Sequence, residues 1–184
     1  MTGYTLLGVL VVLLIGSVTI YNKLVANKNL VAEGWSGIDV QLKRRNDLIP
    51  NLIESVKGYM GHERGVLDQV TELRTKSQAA QGVADKARVE GAMGAALANL
   101  FAVAENYPDL KASQNFIELQ KSLADIEDQV QLARRYYNGA ARNFNILIQS
   151  FPSNLIASAF KFTTVEYFEI EDAAERAVPK VAFS

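Results

Sequence analysis

Residues 116–147 read FIELQKSLADIEDQVQLARRYYNGAARNFNIL, and this stretch decides the fold. Phe116, Leu119, Leu123, Ile126, Val130, Ala133, Tyr137, Ala140, Phe144 and Leu147 recur in alternating steps of three and four. A 3–4 repeat puts all ten on one side of an α-helix, the pattern of a long helix packed in coiled-coil style. The spacing predicts a helix that ends at Phe151-Pro152, because proline cannot continue it. Working outward, a short amphipathic piece follows over 155–162. Beyond it, over 163–178, Glu166, Glu169, Glu171, Asp172 and Glu175 face only Arg176, a net of −4, and 163–184 reads as a solvated acidic tail.

Upstream, Tyr107-Pro108-Asp109 predicts a turn. Before it, residues 83–107 are rich in Ala and Gly, with Val89, Met93, Ala96, Leu100 and Val103 as the expected buried stripe. A weaker break at 79–82 separates that segment from one carrying Val66, Leu67, Val70, Leu73 and Ser77. A first arm over 29–59 shows Trp35, Ile38, Leu42, Ile49, Ile53, Val56 and Met60 in steps of three, four or seven. Pro50 lies inside that pattern, removes one backbone donor and is expected to kink the arm near Asn46 or Asp47.

The chain starts with an uncharged segment, 1–22, whose centre, Leu6 to Ile15, reads LLGVLVVLLI. At a rise of about 1.5 Å per residue, eighteen to twenty such residues span about 27–30 Å, the thickness of a hydrocarbon layer. No basic residue precedes the run and no small-x-small site follows it, so a retained anchor is expected over a cleaved signal. Lys23, Lys28, Lys43, Arg44 and Arg45 all follow the span. By the positive-inside rule the bulk of the protein faces the cytoplasm, with the opposite side of the membrane as the alternative. No strong breaker lies between Ile20 and Asn46, so anchor and first arm are expected to share one helix, with Gly34 and Gly37 as soft points.

Together these readings predict an all-α protein: one N-terminal transmembrane helix, then an antiparallel up-and-down helical bundle with long coiled-coil-like arms. The expected division is 1–28 for anchor and juxtamembrane segment, 29–162 for the bundle and 163–184 for the tail.

Composition narrows the chemistry. With no cysteine and the single histidine His62, thiol catalysis and His-rich metal sites are excluded. His62-Glu63 begins like a zincin motif, but Val66 stands where the second histidine belongs. No Glu-x-x-His pair exists for a di-metal carboxylate bundle. A net charge of −1 gives no basic footprint for nucleic acid. No catalytic residue, cofactor-binding residue or metal ligand is therefore expected.

What remains is a polar cluster on or beside the first stripe: Asp39, Arg44, Arg45, Asn46, Asp47 and Asn51. Asp39 and Asn46 are seven apart and share a face. A second set, Glu127, Arg134, Tyr137, Asn138 and Asn145, lies on the long arm, with Asn138 and Asn145 again seven apart. The cluster is either a ligand or partner contact, or a buried network. As a network it would fix helix register and satisfy carbonyls freed by Pro50, the two ladders facing one another across the bundle.

The chain also resembles the LemA family of bacterial membrane proteins. The resemblance rests on YNKLV at 21–25, WSGIDVQL at 35–42, RNDLIPNL at 45–52, VKGY at 56–59 and His62-Glu63. It continues with YPDLKA at 107–112, ARRYYN at 133–138, Asn143-Phe144-Asn145 and Phe151-Pro152, so it spans nearly the whole sequence. It implies an N-terminal membrane helix followed by an α-helical bundle, and it carries over no catalytic residues; a single-pass protein of the bacterial inner membrane is expected.

Three functions fit. The first is a non-enzymatic protein that self-associates, or scaffolds an unidentified membrane or envelope protein, at the lipid bilayer. The second is a membrane-coupled sensor or signalling adaptor working through Pro50. The third is a lipid- or small-molecule-binding bundle. Aromatic and aliphatic residues outside the main stripe, namely Tyr136, Ile146, Ile148, Phe160, Phe162 and Phe168, favour a homo-oligomer.

Overall fold

A computed structural model describes residues 2–61 and 63–169. His62 and residues 170–184, most of the expected acidic tail, lie outside the described residues. Six helices follow in order: α1 (Thr2–Lys57), α2 (Arg64–Ala79), α3 (Val83–Ala104), α4 (Pro108–Lys111), α5 (Gln114–Gln149) and α6 (Ser153–Ala159). No strand occurs among the described residues. The architecture is the expected one, an all-α bundle entered through a long apolar helix.

α1 runs for 56 residues and passes Gly34, Gly37 and Pro50 without a break. Every side chain from Gly3 to Gly16 is exposed, and α1 is long and apolar enough to cross a membrane. Its two hydroxyl residues near the end of that segment are internally satisfied. Ser17 donates to the Leu13 carbonyl at 2.8 Å and Thr19 to that of Ile15 at 2.9 Å. This removes the penalty that an unpaired hydroxyl would bring in lipid.

The chain forms two compact units. The first comprises Met1–Val40 with Gln129–Tyr167, and the second centres on Gln41–Asp128. The second has an aliphatic core in which Ile49, Leu52 and Val56 of α1 meet Val70 of α2, Met93 and Leu100 of α3, and Phe116 and Leu123 of α5. A turn over 80–82, with Gly82 at φ 79°, joins α2 to α3. Tyr107-Pro108-Asp109 opens the single turn α4, where Pro108 occupies a first-turn position that needs no N–H donor. Arg45 of α1 meets Glu127 of α5, while Asn51 and Ser55 share a groove with Asn115 and Ser122. Numbers rise along α1 as they fall along α5, so the two run antiparallel.

In the first unit, Leu24, Val31 and Ile38 of α1 are buried, as are Val130, Tyr137, Ala141 and Phe144 of α5. Rings fill the space between them: Trp35 lies 5.8 Å from Tyr137, and Phe144 lies 6.3 Å from Phe162. Gly34 permits this approach, because a Cβ there would fall 2.9 Å from the Cα of Tyr137. α6 ends in a Schellman turn, with the Phe162 amide donating to the Ala157 carbonyl at 2.9 Å and the Lys161 amide to Ser158 at 3.2 Å. Lys161 takes the left-handed position, at φ 56°.

That turn sends the chain back along α5. Asn145 grips Val165 at two points, its Nδ2 donating to the carbonyl and its Oδ1 accepting from the amide, both at 2.9 Å. The Tyr137 hydroxyl donates to the Glu166 carbonyl at 2.8 Å. The first residues of the stretch read as a solvated tail are thus fastened to α5 through their backbone.

Candidate functional site

The densest polar chemistry lies in the second unit, around Arg45. Arg45 falls three residues after Leu42 and four before Ile49, so helical geometry turns it inward with them, and it is only 2% exposed. An isolated buried guanidinium is very unfavourable, and two carboxylates compensate it. Nη1 donates to Glu127 Oε2 at 2.8 Å, and Nη2 to Glu90 Oε2. Glu90, on α3, is equally buried, whereas Glu127 on α5 is partly open to solvent. The second oxygen of Glu90 accepts from the Ser77 hydroxyl, and Ser77 accepts from Asn46 Nδ2 at 2.7 Å. The chain of contacts therefore ties α1, α2, α3 and α5 together through one buried ion pair.

Pro50 explains a further member. An ordinary residue at position 50 would donate its amide to the carbonyl four residues earlier, that of Asn46, and proline has no amide hydrogen. That carbonyl instead accepts from Arg74 Nε of α2 at 2.9 Å. In the same region Lys86 Nζ donates to the Ser77 carbonyl at 3.1 Å, which satisfies one of the unpaired carbonyls in the last turn of α2. Both ionic oxygens of Glu90 and both terminal nitrogens of Arg45 are engaged. Within this network, Arg45 Nε and Asn46 Oδ1 lack a protein partner.

The residues singled out in the sequence separate into two groups. Arg45 and Asn46 are buried in this network. Asp39 and Asn51 are exposed, Asn51 lining the shallow groove with α5. Arg134 and Asn138 are half-buried, Arg134 donating to Gln131 at 3.0 Å. Asn145 is buried and holds Val165. Asn46 bonds to Ser77 of α2, and Asn145 to the returning chain at Val165. Glu90 and Arg74 are participants that the sequence reading missed. Ser77 was in view only as a member of its helix stripe. The signal for Glu90 was a lone acid three residues before Met93 on an otherwise apolar face.

No group of three or more His, Cys, Asp or Glu side chains converges in a metal-binding arrangement among the described residues. An open groove of about 670 Å³ lies between α1 and α2, lined by Ile49, Pro50, Ile53, Met60, Leu67 and Arg74 among others. Its walls present aliphatic side chains with scattered charges.

A sequence profile of the LemA family matches residues 34–183, most of the chain and all of the network. The chain belongs to the LemA family. Its relatives include magnetosome protein MamQ 2 of Paramagnetospirillum magneticum, 26% identical over 181 residues, covering 84% of this chain and 66% of the relative. Magnetosome protein MamQ of Magnetospirillum gryphiswaldense is 25% identical, covering 76% of this chain and 61% of its own length. Protein LemA of Metamycoplasma hominis is 28% identical, covering 82% of this chain and 69% of its own. The chain thus spans about two thirds of these relatives. With the apolar α1, LemA membership makes it a membrane-associated helical protein.

Proposed function

We propose that this LemA-family chain is a non-enzymatic protein anchored in the bacterial inner membrane, with its bundle on the cytoplasmic side, and that it self-associates there. The observation that carries the reading is apolar surface outside the membrane segment. Val40 of α1 is 53% exposed, and Leu132 and Tyr136 of α5 are 50% and 47% exposed. Leu132 and Tyr136 occupy adjacent turns of one helix face, and antiparallel pairing brings Val40 to the level of Leu132. Large apolar side chains collected at one level of a helix pair favour association with another surface. Of the residues that suggested an oligomer in the sequence, Tyr136, Ile146 and Phe160 are exposed, Ile148 and Phe162 are half-buried and Phe168 is buried. The buried ion pair supports a non-enzymatic role, because both oxygens of Glu90 and both terminal nitrogens of Arg45 are spent on protein partners.

The test is the mass of the detergent-solubilised full-length protein by light scattering, with the detergent contribution subtracted. The reading predicts a multiple of the 20.2 kDa chain, reduced by Leu132→Arg. A strict monomer for the unsubstituted chain overturns it.

A further inference from the structure

The place where α1 leaves the apolar layer is well marked. Residues 1–22 carry no charge, and Lys23 is the first. Just before it, the ring of Tyr21 lies 4.7 Å from that of Phe160 and 5.9 Å from that of Phe162. The end of α6 is therefore held at the level of the membrane boundary, where tyrosine rings are favoured.

α6 is built the wrong way round for water. Ser153 and Ala157 are buried, while Phe151, Leu155 and Phe160 in and beside it are 79%, 60% and 59% exposed. A helix end that hides serine and alanine while presenting two phenylalanines and a leucine matches an apolar environment on its outer side. Charge points the same way. From residue 129 to 165 the chain carries Arg134, Arg135, Arg142 and Lys161 and no acid; from 1 to 32 it carries Lys23 and Lys28 and no acid. Lys28 Nζ also sits 5.9 Å from the centroid of Phe162.

We infer that Phe151, Leu155 and Phe160 form a foot that seats in the interfacial layer of the leaflet from which α1 emerges. Lys23, Lys28, Arg142 and Lys161 supply attraction to anionic headgroups there. Apolar side chains that enter the acyl boundary beneath a cationic rim are the general means by which a short amphipathic element binds a membrane surface. A second copy of the chain is the less favourable occupant, because a self-complementary contact on this face would bring like cations together. The foot gives the membrane-proximal end of the first unit a second lipid contact beside the span, and it rests on α1 being that span.

The test uses the full-length chain with Trp35→Phe, so that a single introduced tryptophan reports its surroundings. Three reporters are compared: Leu155→Trp for the foot, Leu13→Trp for the span and Tyr136→Trp for a point about 20 Å further along α1, at the level of Gly34. Each is checked for unchanged helicity and elution. They are then reconstituted in vesicles of phosphatidylcholine and phosphatidylglycerol whose acyl chains are brominated either near the glycerol or deeper. The foot predicts that shallow bromines quench the Leu155→Trp reporter about twofold, and less without phosphatidylglycerol. The Tyr136→Trp reporter stays unquenched by either lipid. Emission at 155 that iodide quenches as readily as it does free N-acetyltryptophanamide overturns the foot. So does blue-shifted emission at 155 that no brominated lipid quenches, since protein would then cover the face. If the Leu13→Trp reporter is also unquenched by deep bromines, the span itself fails, and with it the premise of the foot.

Discussion

The two units hold α1 against α5 by different means. In the second, a buried guanidinium is shared between carboxylates on α3 and α5, and a serine and an asparagine complete the network. In the first, a glycine lets α1 approach the backbone of α5, aromatic rings fill the space, and a returning segment is pinned by Asn145 and Tyr137. Directional charge pairs discriminate sharply against a shifted register, since a slip of one residue would leave a charge buried alone. Close-packed rings discriminate by shape and accept small adjustments more readily. Register thus rests with the unit centred on Gln41–Asp128, and close approach with the unit that contains the apolar start of α1.

The largest effect is expected where a charge is stranded. Arg45→Met leaves Glu90 buried without its cation, and should destabilise by about 3–5 kcal/mol. Combining it with Glu90→Leu should recover much of the loss, because an apolar pair of similar bulk carries no desolvation cost. Thermal unfolding of the solubilised protein followed by circular dichroism checks both. A single variant as stable as the unsubstituted chain would remove the ionic half of the comparison.

Next comes the glycine. Gly34→Ala places a methyl group 2.9 Å from the Tyr137 Cα and 3.1 Å from the Tyr136 ring, and should cost about 1–3 kcal/mol through overpacking. Gly37→Ala, three residues on, meets nothing within 4 Å and should stabilise by up to about 1 kcal/mol through helix propensity. The same substitution thus has opposite signs one turn apart. Matching melting temperatures for the two variants would show that close approach at Gly34 is unimportant.

Smallest is the hydroxyl of Tyr137, whose loss in Tyr137→Phe should cost about 1 kcal/mol at neutral pH. Burial, with help from the Glu166 charge, holds this phenol above its ordinary range. A raised folded-state pKa means that the folded protein keeps the proton longer than the unfolded chain. This contribution is therefore full below the ordinary tyrosine pKa of about 10, and is lost as pH climbs through the raised value. Melting temperature should fall more steeply above about pH 10 in the unsubstituted protein than in the Tyr137→Phe variant. Parallel curves would show that Tyr137 does not contribute to the alkaline loss.

The sequence made some of this legible and left the rest hidden, for physical reasons. The α5 stripe was readable because large apolar residues alternate with charged ones: Phe116, Leu123, Ile126, Val130, Tyr137 and Phe144 are all buried. The face of α3 was less clear. Met93, Ala96 and Leu100 are buried as expected, but Val89 and Val103 are only half-buried, and Ala87, Glu90, Leu97 and Ala104 share the inner face. An alanine-rich helix offers little contrast between its sides, so a period can be read in the wrong phase. Pro50 announces that the Asn46 carbonyl needs a donor, but only the packing of α2 shows that Arg74 provides it. Residues 163–166 looked like solvated chain because Thr163, Thr164 and Glu166 are polar. Their fastening uses backbone groups, which composition does not reveal.

The central claim is that α1, proposed as the membrane anchor, is also a structural helix, since Leu24 is fully buried and Tyr21 contacts the rings at the end of α6. Hydrogen exchange over 140–165 in the full-length chain and in a chain lacking residues 1–28 tests this most directly. The account predicts faster exchange there once Tyr21 and Leu24 are gone. Identical protection in the two chains would contradict it and make the apolar segment a mere tether.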